Sequence, residues 1–237
     1  MRIDILTLFP ELCDMYCNLS IIGRAITAKK IEIYSHNFRD YTLNRQRQVD
    51  DAPYGGGPGM VLSAQPIYDC FAAVSEMCGT RPYLIYMSPK GKTLTQDRIK
   101  SLSTYSNIAI LCGHYEGVDQ RLIDLIVDEE ISLGDYVVTG GELPALVLTD
   151  AIARLQEGVL REQEAYEDES HFNILLEYPQ YTRPEVWMEK RVPEVLLSGH
   201  HKNILNWKKE QSIEVTKKKR EDLYQKYLDE NNLDDKL

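Results

Sequence analysis

The sequence predicts an α/β fold with a largely parallel sheet, followed by a small helical domain. Three observations carry this. Tyr83–Met87 and Asn107–Cys112 are short, continuously apolar runs, which suit strands covered on both faces. Strand-like and helix-like segments alternate from residue 1 to about residue 160. Beyond that point the apolar spacing is helical and no strand pattern stands out.

The elements follow in order. Ile3, Ile5 and Leu6 to Leu8 form a first strand, ended by Phe9-Pro10. Glu11 to Lys30 holds one or two helices, with Ser20 as an N-cap. Ile31 to Phe38 is a second strand. Arg39 to Val61 is a long polar stretch containing Pro53-Tyr-Gly-Gly-Gly-Pro-Gly59, and connections of that length are usually functional or mobile. Ala64 to Met77 is a helix with Ile67, Phe71 and Val74 on one stripe. Thr95 to Leu102 and Val118 to Val127 are the helices between the apolar strands, and Leu143 to Leu155 is a further apolar-periodic segment. Leu160 to Ser170 is charged and unpatterned, which marks a linker. After it, Glu185 to Lys190 and Ile204 to Tyr227 are helical candidates. The expected division is a first domain over 1–160, a linker over 161–180 and a helical domain over 181–237.

Composition narrows the function classes. No run of about 18 apolar residues exists, so no membrane span is expected. Five cysteines at irregular spacing, with no C-x-x-C pair, argue for a reducing compartment such as the cytoplasm and against a zinc site. The formal charge of −10 looks hostile to nucleic acid, but its distribution matters more. His171 to Arg220 holds ten Lys/Arg against six Asp/Glu, while Glu221 to Leu237 holds six acids against two lysines. A local basic segment is permissive for a polyanion; it equally suits a solvated helix face.

Three glycine-bearing turns follow strand candidates: Ser88-Pro-Lys-Gly-Lys92, Gly113-His-Tyr-Glu-Gly117 and Gly134 to Pro144. Ligands of parallel α/β sheets bind at the C-terminal strand ends, so three such turns on one edge can surround one adenosine-sized ligand. Glycine there lets a ligand approach the main chain. There is no G-x-x-x-x-G-K-[ST], no G-x-S-x-G and no H-E-x-x-H. Gly55-Gly-Gly-Pro-Gly59 follows a polar segment and not a strand, so it fails the context of a dinucleotide loop. His114 reads more readily as a structural donor than as a catalyst.

Further motifs stand in a fixed order along nearly the whole chain. They are Leu8-Phe9-Pro10, Tyr54-Gly-Gly-Gly-Pro-Gly-Met60, Ser88-Pro89 with Gly91, and Cys112-Gly113 with Tyr115-Glu-Gly117. Gly134-Asp-Tyr136, Gly140-Gly-Glu-Leu-Pro144, Tyr181-Thr-Arg-Pro184 and Leu196-Leu-Ser-Gly199 with His201 complete them. In these the chain resembles the bacterial tRNA (guanine-N1)-methyltransferase family TrmD, of the SPOUT superfamily. The resemblance implies a SPOUT domain with a deep trefoil knot, a rare topology that no pattern in the sequence reveals. It implies a homodimer acting on the tRNA anticodon stem-loop. The methyl donor would be S-adenosylmethionine and the target N1 of guanine 37, usually after another guanine.

The resemblance also assigns residues. Tyr86, Ser88, Pro89, Gly113, Tyr115, Leu133, Gly134, Asp135, Tyr136, Val137, Val138, Gly140, Gly141 and Pro144 would line the donor. Leu133 replaces the commoner isoleucine. Glu116 would approach the donor's charged end or a magnesium ion, though the sequence carries no metal signature of its own. Arg154 would support charge on the base; by spacing alone it is an ion-pair partner of Asp150. The family base is an aspartate followed by serine. Counting back from Tyr181 places Glu169 there, followed by Ser170, with Asp168 as neighbour. Tyr54, Gly55 and Gly59 would receive the flipped guanine. Arg183, His201, Lys202, Lys208 and Lys209 would meet the tRNA. His200 stands where relatives often carry asparagine. Two other readings share much of this pattern: a SPOUT methyltransferase with a different RNA target, and a non-catalytic RNA-binding module. A metabolic α/β enzyme is a third, and would bind no tRNA.

Overall fold

The computed structural model describes residues 1–160 and 169–232. The chain forms two compact units, Met1–Arg161 and Glu162–Leu237. In the first, five parallel strands stand in the order β2-β1-β6-β5-β7. They are β1 (Arg2–Thr7), β2 (Glu32–Asn37), β5 (Tyr83–Thr93), β6 (Asn107–Cys112) and β7 (Glu129–Ser132). Side chains alternate between the two faces. Ile3, Ile5, Ile85, Ile108 and Ile110 enter one core layer, and Leu6, Leu84, Tyr86, Ala109 and Leu111 the other. Both faces being covered explains why the central strands are apolar without alternation.

Helices α1 (Pro10–Cys17), α2 (Ser20–Thr27), α4 (Gln96–Leu102) and α6 (Glu142–Ala153) supply the first layer, and α3 (Ala64–Cys78) and α5 (Gln120–Ile126) the second. Thr95 caps α4 by accepting the Arg98 amide, and Asp119 caps α5 through the Arg121 amide. Ser20 is a correction. It is the first residue of α2, Leu19 is the N-cap, and no side chain caps this end. The long polar stretch is tied off by a two-residue antiparallel ladder, β3 (Asp50–Asp51) with β4 (Val61–Leu62). The Ser88 to Lys92 turn is a bulge inside β5, whose pairing with β7 shifts register between Met87 and Lys92.

From edge strand β7 the chain crosses the C-terminal ends of β5 and β6 and enters α6, which packs on β1 and β6. That crossing builds the site described below.

The second unit holds α7 (Glu194–Leu197), α8 (His201–Lys219) and α9 (Glu221–Asn231). Two expectations are corrected there. Glu185 to Lys190 is a hairpin, β8 (Val186–Trp187) with β9 (Lys190–Arg191), and not a helix. Its tip residues Met188 and Glu189 both take left-handed conformations, φ 48° and 63°. Such turns are usually announced by Asn-Gly, and Met-Glu hides this one. Ile204 to Tyr227 is two helices, broken at Arg220 (φ −142°, ψ 72°). Nothing local breaks them; Tyr224 and Leu228 are buried as α9 turns back onto α8.

Candidate active site

A cavity of about 280 Å³ opens at the C-terminal ends of β5, β6 and β7, where three turns meet. Backbone forms much of its wall. The Gly141 amide donates to the Gly113 carbonyl at 2.8 Å, and His114 bridges Gly140 in antiparallel fashion. A Cβ on Gly141 would stand 2.7 Å from Cys112 Cα and Gly113 N, and one on Gly113 would stand 2.8 Å from Tyr86 Oη. At Gly141 the obstacle is main chain, so closeness of approach requires glycine there; at Gly113 it is the buried Tyr86 ring.

From β5, Tyr86, Ser88 and Pro89 line the cavity. Burial is the main force raising the Tyr86 phenol above its usual pKa; the Glu130 charge adds to it, and a hydrogen bond from the Val118 amide opposes it. After β6, Gly113, Tyr115 and Glu116 line it, and after β7, Leu133, Tyr136, Val137 and Val138 do so. Gly140, Gly141 and Pro144 complete this part of the wall. Gly134 and Asp135 lie in the same turn without lining the cavity. The first turn of α6 is anchored from below. Thr7 Oγ donates to Glu142 Oε1 at 2.8 Å and accepts from the Phe9 amide at 2.9 Å, with both side chains buried.

Sequence reasoning missed several lining residues: Lys90, His114, Glu130, Ser132 and Thr139. The inward phase of β7 could have flagged Glu130 and Ser132, since strand neighbours alternate between faces. His114 packs on Phe9 and Tyr115, with ring centroids 5.3 and 4.7 Å away, and its Nδ1 is buried without a hydrogen-bond partner among the described residues. Cys112 lies beneath the site, and burial first of all raises its thiol well above the usual pKa, so it is no nucleophile.

The glycine-rich loop rises beside the cavity. Tyr54 is fully exposed and Gly55, Gly56, Gly57 and Gly59 all have positive φ. A Cβ on Gly59 would overlap the Glu116 side chain. The Glu116 amide donates to Met60 O at 3.0 Å, Leu62 N–H to Gly117 O at 2.9 Å, and Asp119 N–H to Leu62 O at 3.0 Å.

Arg154 is half-buried at the C-cap of α6, and the Asp150 carboxylate accepts a 2.6 Å hydrogen bond from Tyr16. Glu169 and Ser170 belong to the second unit, where Ser170 Oγ accepts the Glu177 amide at 2.9 Å. Asp168 lies outside the described residues. Arg183 is exposed, and His201 and Lys202 open α8. Along that helix Lys208 sets its ammonium 4.5 Å from the Tyr178 ring, and Lys209 is exposed.

A cavity walled largely by main chain, lined by apolar residues and by two carboxylates, Glu116 and Glu130, against one lysine, Lys90, fits a nucleoside carrying positive charge. Comparison with known proteins gives this arrangement a family. Residues 1–226 match the family model described as tRNA (Guanine-1)-methyltransferase TrmD. A tRNA (guanine-N(1)-)-methyltransferase of Ruminiclostridium cellulolyticum is 53% identical over 233 residues, covering 98% of this chain and 100% of that protein. One of Clostridioides difficile is 51% identical over 227 residues, covering 95% and 98%. The crystal structure of the tRNA (m1G37) methyltransferase from Aquifex aeolicus matches with a TM-score of 0.78 and 43% identity over 99% of each chain.

Proposed function

This chain belongs to the tRNA (guanine-1)-methyltransferase TrmD family, and on that premise we propose that it transfers a methyl group from S-adenosylmethionine to N1 of guanine 37 of tRNA, beside the anticodon. The observation that carries the proposal is the cavity at the ends of β5, β6 and β7, whose wall is main chain brought close together at Gly113 and Gly141. Bound there, the donor supplies an electrophilic methyl on a sulfonium.

The protein's own residues do the rest. The turns at Gly113 and at Leu133 to Val138 hold and orient the adenosine and methionine parts, so that the methyl is in line with the incoming nitrogen. Glu116, against Gly59, faces both the donor and the loop that receives the guanine. Guanine N1 carries a proton and is a poor nucleophile until that proton leaves. A carboxylate at Glu169, or at Asp168, takes it. Arg154 offsets the negative charge that spreads onto O6. Among the described residues no three His, Cys, Asp or Glu side chains converge on a metal site, and Glu116 is the residue that would meet a magnesium ion at the donor's charged end.

The reading extends to assembly. The active form is a homodimer in the cytoplasm whose tRNA site is shared between subunits, and the first unit closes as a trefoil knot. Support comes from family membership and from an exposed apolar face on α1 and α6 that includes Leu12, Met15, Leu143 and Val147. No helix among the described residues is long and apolar enough to cross a membrane. Residues 181–237 serve as the tRNA-binding domain; of the expected linker over 161–180, residues 161–168 lie outside the described residues.

The test is to methylate a tRNA transcript and map the modified atom. Methylation at guanine N1 of position 37 is expected; another atom or position refutes the assignment. Glu169→Gln and Asp168→Asn, measured in single turnover, identify the base by a loss of roughly 10²–10⁴-fold in rate at unchanged binding. If neither slows transfer, the proton leaves by another route.

A further inference from the structure

Three consecutive carboxylates lead into β7, and they meet different fates. Asp128 accepts Arg81 at 2.8 Å and the Leu84 amide at 2.7 Å. Glu129 accepts Arg98 of α4 at 2.5 Å, on the opposite face of the strand from Glu130. Glu130 has no ion pair and no hydrogen bond among the described residues. It is half-buried, stands opposite Tyr86 in the β5–β7 register, and lines the cavity beside it. Its charge is felt by the Tyr86 phenol, which it helps to raise.

A partly buried carboxylate without a partner gains when a ligand supplies the opposite charge. The methyl donor does so for half of its cycle. Transfer breaks the S–CH3 bond and forms N1–CH3. The bonding pair stays on sulfur, and the N1 proton goes to the base. The sulfonium thereby becomes a neutral thioether, while the ammonium and carboxylate of the methionine tail cancel before and after. In a cavity of about 280 Å³ a bound charge lies within roughly 10 Å of any lining carboxylate, close enough to be felt at an effective dielectric near 20.

Resting on the donor reading above, we propose that Glu130 is a specificity-determining residue that favours the cationic donor over its neutral thioether product by charge. Glu116 lines the same cavity and adds to the field, Lys90 opposes it, and the Tyr86 phenol and His114 ring are the other polar neighbours. The attraction then ends at the moment of transfer, which speeds product release.

Glu130→Gln removes the charge and keeps the shape. Calorimetry should compare three ligands: S-adenosylmethionine, sinefungin, which carries an ammonium in place of the methylsulfonium, and S-adenosylhomocysteine. The variant should weaken the two cationic ligands about tenfold relative to the neutral one, or about 1.4 kcal/mol. Lys90 is exposed, so Lys90→Gln probes the same field with little folding risk and should widen the ratio. Equal weakening of all three ligands would mean a hydrogen bond to their shared nucleoside and overturns the proposal. An unmoved ratio in both variants overturns it as well. If the wild type binds none of the three, the donor reading itself falls and the proposal with it.

Discussion

Replacing Gly141 by alanine tests whether the pocket wall is built from closely apposed backbone. The new Cβ would stand 2.7 Å from Cys112 Cα and Gly113 N, about 0.7 Å inside ordinary contact, and both obstacles are main chain that cannot rotate away. Gly141 has φ −78°, so backbone strain plays no part and the effect is purely steric. Opening the crossing by that distance stretches the 2.8 Å bond from Gly141 N–H to Gly113 O past useful length. The lost bond costs about 1 kcal/mol and the overpacking about 1–3 kcal/mol. For a unit of this size that lowers Tm by about 4–16 °C. The same shift moves one wall of the cavity, so donor affinity should fall at least about tenfold. Thermal melting and donor calorimetry on one preparation read both effects, and a β-branched residue such as valine should enlarge them. A Gly141→Ala protein that melts like the wild type and binds the donor equally well would refute the close crossing.

Two further outcomes can be checked with standard assays. For buried Asp4, desolvation alone would raise the carboxyl pKa, but hydrogen bonds from His36 and Arg2 outweigh it and the net shift is downward. A group depressed in the folded state gives its full stabilisation above the ordinary carboxylate value and loses it as pH falls through the folded one. The difference in urea midpoint between wild type and Asp4→Asn should therefore shrink as pH falls from about 5 toward 3; a constant gap would show that Asp4 does not titrate in this way. Neutralising Lys208 and Lys209 together should make the log–log salt slope of tRNA binding shallower by about 1.5 at unchanged donor affinity, and a slope equal to wild type places the tRNA path elsewhere.

The parallel sheet was legible because its strands are buried on both faces, which removes alternation and leaves apolar runs such as Asn107–Cys112 at their observed ends. The hairpin at Val186–Arg191 was not, since two exposed two-residue strands leave no periodicity and their turn lacks glycine. The break at Arg220 depends on tertiary packing of Tyr224 and Leu228, which no local residue announces. At the site, the glycine turns were readable as turns. That Gly141 abuts Gly113 was not, because the closeness of two segments 28 positions apart is a property of the crossing and not of either sequence. Glu130 was overlooked for a related reason: beside Asp128 and Glu129 it looks like ordinary surface charge, and although strand alternation sets it apart from Glu129, the β5–β7 register is what places it opposite Tyr86.

The ladder joining Met60 and Leu62 to Glu116, Gly117 and Asp119 ties the glycine-rich loop to a turn that lines the cavity. On the proposed function, ordering of the glycine-rich loop by RNA bears on the turn at the donor cavity, and binding of the donor bears on the loop. Thermodynamic linkage makes such traffic symmetrical: if seating the RNA tightens the hold on the methyl donor by some factor, the donor tightens the hold on RNA by that same factor. The two substrates would then arrive as collaborators, each lowering the cost of admitting the other.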